Sequence, residues 1–326
     1  TGFLMFRSLL KLIESPEKID FFRLFYPSFS LPLVSISSDG LKAVKEYGHC
    51  RGTQLVIENN GLYALSDFNE CLQYSQYLSG SWFNARDYLS SVSENFRNLI
   101  ERMLTLYTDL GIPTSPLDDL ELFTSIILSR NTDYHRNTVG WVKKLLKTFP
   151  SLESLINAES DFLVSRVSSS YQVLELPKIL DCYLRVRNLL KGPSENSRAL
   201  LRCPGVGPKT LYAYILFVKL DSRYAPIDTN LLSFLSRLRD LRRIISKSAL
   251  PIKEYCFKYV CDSCPKNGVC IEALLRNKLG PLNGWFQTVA FLHNKTYCAT
   301  RKCLVCPLST ECLSFIGRGD LTSSPP

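Results

Sequence analysis

The sequence has no apolar run near the ~20 residues needed to cross a bilayer. Its start, Thr1 to Ile13, sets basic residues inside a short apolar stretch and lacks the small-residue cleavage site of a secretory leader. No membrane partner is therefore expected, and a soluble intracellular protein is. Histidine is scarce: three residues in 326, too scattered to help identify a metal. Glutamine (five) and methionine (two) are scarce as well, a compositional hint of a hyperthermophilic source. The charged fraction of 21% does not suggest disorder, and 45% apolar residues suffice for a globular fold. At 326 residues the chain exceeds one compact core, so two or three packed units are expected. Apart from its cysteines it shows no longer internal repeat.

Positive charge is abundant and unevenly placed. Residues 241–326 hold 12 Lys and Arg against 5 Asp and Glu, which is +7 of the net +9. A positive field confined to one end attracts polyanions, usually nucleic acid, although a solvated face would look the same. Cysteine is abundant too, with twelve residues. Eight form two sets of identical spacing, C-x4-C-x2-C-x5-C: Cys256, Cys261, Cys264 and Cys270, then Cys298, Cys303, Cys306 and Cys312. In an intracellular chain such sets read as metal sites more often than as disulfide frameworks. Cys50, Cys71, Cys182 and Cys203 are scattered and read as buried apolar thiols.

Residues 1–83 read as a strand-containing unit, with a strand over Leu31–Ser37 and a hairpin over Thr53–Ser66 turning at Asn59-Asn60-Gly61. From Asn84 the period changes. Tyr88, Val92, Phe96, Leu99, Met103 and Tyr107 recur every three or four residues, which predicts an amphipathic helix ended by Gly111-Ile112-Pro113. A buried helix follows over Asp118–Leu128. Further helices are expected near 137–149, 151–157, 160–167, 178–191 and 195–202.

Pro204-Gly205-Val206-Gly207 cannot continue a helix, so it turns between two helices and exposes backbone N–H groups. The helix that follows, Thr210–Leu220, presents amides at its N-terminus. This is a grip for phosphate that needs no side-chain charge and reads no sequence. Lys209 stands at that helix mouth, where the positive dipole end and apolar surroundings favour the neutral amine. A neutral lysine is a nucleophile toward a sugar C1′. Nineteen residues on, Asp228 precedes another helix. A carboxylate there can orient the nucleophile and stabilise an oxocarbenium-like sugar, or simply cap the helix.

Taken in order, these motifs resemble the helix–hairpin–helix (HhH-GPD) DNA glycosylases, and within them the endonuclease III branch. The resemblance covers roughly residues 116–312. It rests on Pro204 to Thr210 with Lys209, on Ile227-Asp228-Thr229, on Ile127-Leu128-Ser129-Arg130-Asn131-Thr132, and on Trp285 to Cys312. It implies a mainly α, two-domain helical fold, here with a small N-terminal β-containing domain. The domains expected are 1–83, then 84–115 with 231–326 carrying the cysteines, then 116–230 carrying the hairpin.

The function implied is base-excision repair on double-stranded DNA bearing a damaged or mismatched base, by a monomer, with Lys209 and Asp228 catalytic. Lys209 attacks C1′ and the Schiff base permits β-elimination, an AP lyase step. Asn131, in the resembled family, fills the gap left by the flipped base, although it also suits a helix C-cap. Gly205, Val206 and Gly207 grip phosphate. Cys298, Cys303, Cys306 and Cys312 are implied to hold a 4Fe–4S cluster, which would press Arg301 and Lys302 toward DNA. For Cys256, Cys261, Cys264 and Cys270 a second cluster, zinc or disulfides stay open.

The sequence departs from that pattern in three places. Four residues separate Cys298 from Cys303 where the branch usually has six. Arg130 stands where relatives often have Gln. The strand unit looks more like that of the 8-oxoguanine and 3-methyladenine glycosylases. Two alternatives remain: a monofunctional glycosylase in which Asp228 activates water, and a non-enzymatic DNA-binding protein.

Overall fold

The computed structural model describes residues 8–14, 20–59, 61–108, 110–313 and 315. They form a mainly helical protein with one small antiparallel sheet, as expected from the change of period near residue 84.

The chain opens with β1 (Ser8–Glu14), α1 (Phe21–Phe25), β2 (Val34–Ile36), β3 (Lys42–Lys45), β4 (Gln54–Glu58) and β5 (Gly61–Ser66). The sheet order is β1-β5-β4-β3-β2, every pair antiparallel. Glu58 pairs with Gly61, so the β4–β5 hairpin turns in two residues. Asn59 takes the positive φ (46°) that such a turn demands. The strand expected over Leu31–Ser37 is shorter. Leu31–Leu33 coil into a 3-10 turn with Pro32, which has no N–H to give a ladder, and pairing starts at Val34.

Helix α2 (Asn69–Ser79) follows, then α3 (Glu94–Leu106). The long helix expected from Asn84 is broken: Ala85–Ser91 is 3-10 and α3 restarts after Ser93. Its buried stripe is Phe96, Ile100, Met103 and Leu104, so Ile100 rather than Leu99 faces inward. Next come α4 (Asp119–Leu128), α5 (Val139–Thr148), α6 (Ser160–Arg166), α7 (Tyr171–Leu174), α8 (Leu176–Val186) and α9 (Pro208–Phe217). The last third holds α10 (Thr229–Arg237), α11 (Arg239–Ile245), α12 (Lys253–Lys258), α13 (Ile271–Leu279) and α14 (Leu282–His293). Among the described residues no helix is long and apolar enough to cross a membrane.

The chain divides into two compact units, residues 1–84 with 109–221 and residues 85–108 with 222–326. In the first, α4 and α9 are buried along almost their whole length, and Phe123 stacks on Tyr183 with ring centroids 4.3 Å apart. The sheet is tied to α4 by a charge pair in this unit's core. Lys45 of β3, fully buried, meets Asp118 and Ser115, and the His49 amide donates to Asp118 at 2.6 Å. Burial pushes the Lys45 amine below its ordinary value. Asp118 therefore does not cap α4, although it stands at the N-cap position. A buried pair of this kind is worth little net stability, but removing one partner strands the other charge and costs about 3–5 kcal/mol.

In the second unit α14 is the central element, with Trp285, Phe286, Val289 and Ala290 fully buried. Tyr107, just past α3, and Phe234 of α10 both lie against His293 at its end.

Two disulfides are present, Cys50–Cys71 and Cys182–Cys203. The four scattered cysteines are thus paired rather than isolated buried thiols. Each pair is 21 residues apart, a separation with no local signal, and the fold brings the two Cα atoms of each to 5.3 and 5.5 Å.

Candidate functional site

In the first unit the hairpin begins at Cys203 and ends at Gly207, the N-cap of α9. The Val206 amide donates to the Cys203 carbonyl at 3.3 Å and closes the turn. Gly205 sits at φ 70°, a backbone region that side chains rarely adopt. A Cβ there would collide with the Arg130 guanidinium, 1.8 Å away. Val206 is only 1% exposed, so its side chain anchors the turn and offers nothing to a ligand. Gly205 is exposed and Gly207 partly so. Pro208 occupies the first helical position, and Lys209 and Thr210 follow in the first turn, where amides lack partners within the helix. The helix starts two residues before the expected Thr210, which places Lys209 inside its first turn. Lys209 is exposed, not enclosed in the apolar surroundings expected for it.

Arg130 clips the end of α4 to this hairpin. Its Nη1 donates to the Gly205 carbonyl at 3.0 Å and its Nε to the Ile127 carbonyl at 2.8 Å. Gln172 Nε2 donates to the Arg130 carbonyl at 2.9 Å. Asn131 follows at φ 51°, exposed, as an Asn just beyond a helix end often is. So Asn131, Gly205 and Lys209 are held on neighbouring segments of one unit. The Cys182–Cys203 disulfide adds a covalent strut from α8 to the first residue of the hairpin. Sequence reading missed both the arginine clip and the strut.

Asp228 belongs to the second unit. It is 8% exposed and caps α10, accepting from the Leu231 amide at 2.7 Å. Its other oxygen lies 3.5 Å from Asn230 Nδ2. Asn294 Nδ2 donates to Asn230 Oδ1 at 3.0 Å, and Arg237 Nη1 donates to Asn294 Oδ1 at 3.1 Å. Arg237 in turn hydrogen-bonds the Cys298 thiol. A continuous polar chain thus runs Asp228–Asn230–Asn294–Arg237–Cys298.

Cys298, Cys303, Cys306 and Cys312 remain thiols and border one cavity of about 360 Å3, with Arg237 and Arg301 on its wall. Burial pushes the Cys298 and Cys306 thiols up. His293 is 1% exposed, and burial pushes its imidazole down to about 4. Tyr107 OH lies 2.7 Å from His293 Nδ1 and Cys306 Sγ lies 3.4 Å from Nε2. If the tyrosine donates, the imidazole N–H is on Nε2 and points at the sulfur, as an outer support of a metal ligand does. Arg102 of α3 braces the loop end, donating to the Pro307 carbonyl at 2.9 Å and to Glu311 at 3.0 Å. Soft donors thus border one cavity with hydrogen-bond donors and a cation around them, although among the described residues no three of them stand close enough to hold a single ion. Arg301 (φ 55°) and Lys302 are exposed in the loop between Cys298 and Cys303.

Three cations of the C-terminal quarter, Arg243, Lys247 and Lys278, come together with Arg239. Arg239, Arg243, Lys247 and Lys278 line a cavity of about 690 Å3 in the second unit, and no described residue of its lining is acidic.

This architecture is that of the helix–hairpin–helix glycosylase fold, mainly α with a small antiparallel sheet. No protein-family model and no curated sequence matches the chain. Among solved structures it is similar to the Clostridium acetobutylicum 8-oxoguanine glycosylase/lyase in complex with double-stranded DNA containing cytosine opposite 8-oxoguanine. The TM-score is 0.63 at 13% identity, over 89% of this chain and 95% of that one. It is similar also to MBOgg1 in complex with a low-affinity DNA ligand, with a TM-score of 0.65 at 14% identity and the same coverage. The apo-form of the Clostridium enzyme gives 0.61. At such identity the likeness is one of fold. Its extent matters, because coverage of 89% reaches well beyond the segment 116–312 that carried the sequence resemblance.

Proposed function

We propose that this chain is a base-excision DNA glycosylase that takes a damaged or mismatched base out of duplex DNA and also cleaves the abasic site. The observation that carries the reading is the assembly in the first unit. A tight glycine hairpin feeds the N-terminus of a ten-residue helix, an exposed Lys209 stands in its first turn, and Asn131 is clipped alongside. Hairpin and helix amides bind phosphate without reading sequence. Asn131 takes the place of the extruded base.

The Lys209 amine attacks C1′ as the glycosidic C–N bond breaks, and the bonding pair leaves with the base, which takes up a proton. Loss of the nitrogen proton and opening of the sugar give an iminium. Removal of a C2′ proton then expels the 3′ phosphate. Asp228 stabilises positive charge developing on the sugar. The asparagine and arginine behind it hold its carboxylate in place. Cys298, Cys303, Cys306 and Cys312 would hold a 4Fe–4S cluster, as in the endonuclease III branch. That group, when bound, supplies a rigid staple for the loop of Arg301 and Lys302 and no step of the reaction. The sheet-bearing architecture and the named activity of the similar structures make 8-oxoguanine the first base to offer.

The test is borohydride trapping on duplexes carrying 8-oxoguanine, an oxidised pyrimidine or a plain abasic site. A covalent adduct lost in Lys209→Gln is expected. Base release without an adduct would make the enzyme monofunctional, with water activated by Asp228. Binding with no base release on any duplex would leave a DNA-binding module.

A further inference from the structure

The cysteine set that the reaction leaves unused, Cys256, Cys261, Cys264 and Cys270, matches the C-terminal set in more than spacing. Each set is preceded by tyrosine, Tyr255 and Tyr297, and each third cysteine is followed by proline, Pro265 and Pro307. Each first cysteine lies in the last turn of a helical segment. Each second cysteine opens a three-residue 3-10 turn, Cys261–Ser263 and Cys303–Val305.

The third cysteines end those turns in the same backbone conformation, φ −72° ψ 129° at Cys264 and φ −74° ψ 123° at Cys306. Each donates its amide to the second cysteine's carbonyl at 3.3 Å. Each third carbonyl then accepts from the amide three residues on, Asn267 at 2.9 Å and Ser309 at 3.1 Å. The fourth cysteines are extended, φ −74° ψ 121° at Cys270 and φ −93° ψ 118° at Cys312. Each makes an isolated β-bridge, though of opposite sense, parallel to Ala249 and antiparallel to Leu238 respectively. The turn before the second cysteine differs, with Val260 extended (ψ 144°) and Lys302 bent (ψ 49°).

The surroundings correspond as well. All four cysteines of the first set remain thiols and are half-buried, like those of the second. Cys264 lies within electrostatic reach of Cys270, as Cys303 and Cys312 do of Cys298. Each set keeps an arginine against its sulfurs. Arg276, 8% exposed, lies beside the fully buried Glu272 at 3.8 Å, donates to Asp262, inside the C-x2-C turn, at 2.7 Å, and feels Cys261, so its charge is shared with two carboxylates. Arg237 holds Cys298.

Among the described residues no three Cys, His, Asp or Glu side chains gather closely enough to hold a single ion.

We propose that Cys256, Cys261, Cys264 and Cys270 bind a second 4Fe–4S cluster, built on the same loop as the C-terminal one. The proposal rests on the reading of the C-terminal set as a cluster and is independent of the DNA chemistry. The loop it would fix carries Gly268, part of the wall of the basic cavity of Arg243, Lys247 and Lys278. The site would thus be a staple beneath a phosphate-binding surface.

The experiment counts iron, zinc and acid-labile sulfide per chain in the anaerobically purified full-length protein. It repeats the count in two double variants, Cys264→Ser/Cys270→Ser and Cys306→Ser/Cys312→Ser. About eight irons and eight sulfides are expected in the unaltered protein, falling by half in each variant. Low-temperature EPR of the reduced protein should show two clusters, each variant leaving the signal of one. The count and the EPR on the unaltered chain decide the matter even if a variant fails to fold. Four irons with or without one zinc, or full iron in Cys264→Ser/Cys270→Ser, would overturn the proposal while sparing the C-terminal cluster. No iron in either set would overturn both.

Discussion

The two disulfides close loops of equal length but differ in what they hold, and that difference makes a controlled test. Each joins residues 21 apart. The chain-entropy relation for a loop of that size gives about 3 kcal/mol of stabilisation for each. Replacing Cys182 and Cys203 with Ala removes one bond without burying a hydroxyl at Cys203, which is fully buried. In a unit of about 200 residues a loss of this size lowers the melting temperature by about 6–12 °C. Cys50→Ala/Cys71→Ala should cost a similar amount, since the loop is the same length. The two should part in DNA binding. Only Cys203 begins the hairpin, so only the Cys182→Ala/Cys203→Ala protein should bind an abasic-site duplex more weakly, by about tenfold. The assay is calorimetric melting with and without a phosphine reductant, followed by fluorescence-anisotropy titration. The reasoning fails if reductant leaves the melting of the unaltered protein within a degree, or if both variants bind DNA equally well. A melting temperature above ~90 °C for the unaltered protein would agree with the low Gln and Met content.

Lys209→Gln should abolish strand nicking and adduct trapping while duplex affinity changes less than about threefold; nicking at the original rate would remove Lys209 from the chemistry. Asn294→Ala cuts the polar chain between Asp228 and Arg237, and kcat should fall about tenfold with KM nearly constant, because the carboxylate is no longer held. An equal fall in stability and no change in kcat would make Asn294 structural only. Arg301→Ala/Lys302→Ala and, separately, Arg243→Glu/Lys247→Glu should each weaken binding to all duplex sequences alike and reduce the salt slope by about one for every phosphate no longer neutralised. An unaltered slope in a polyelectrolyte titration would place the affected surface away from DNA. Stripping iron with chelator under oxidant should lower duplex affinity more than it lowers the single-turnover rate of bound complex. The opposite pattern would contradict a staple without a catalytic step.

Much of this protein was legible from local signals. The two-residue hairpin at Asn59, the helix over Asp119–Leu128, the glycine turn at Gly205 and the cap at Asp228 each depend on neighbours a few residues away. There the allowed backbone angles and the spacing of apolar side chains decide the outcome. The identical spacing of the eight thiols was visible for the same reason. Where the reading failed, distant residues decided. Ile100 rather than Leu99 completes the buried stripe of Phe96, Met103 and Tyr107, a choice between neighbouring positions made by what packs against the helix. Cys50, Cys71, Cys182 and Cys203 read as separate buried thiols because each partner lies 21 residues away.

The sequence by itself therefore determined the helical class, the hairpin with Lys209, the capping Asp228 and the two thiol sets, since all of these follow from residue type and short-range spacing. Tertiary structure alone decided the pairing of Cys50 with Cys71 and Cys182 with Cys203, the Arg130 clip and the path from Asp228 to Cys298. It also set His293 against Cys306, from a histidine that had looked like one of three scattered ones. These depend on distances between segments that no periodicity records, because they arise only when buried surfaces of separate helices are packed together.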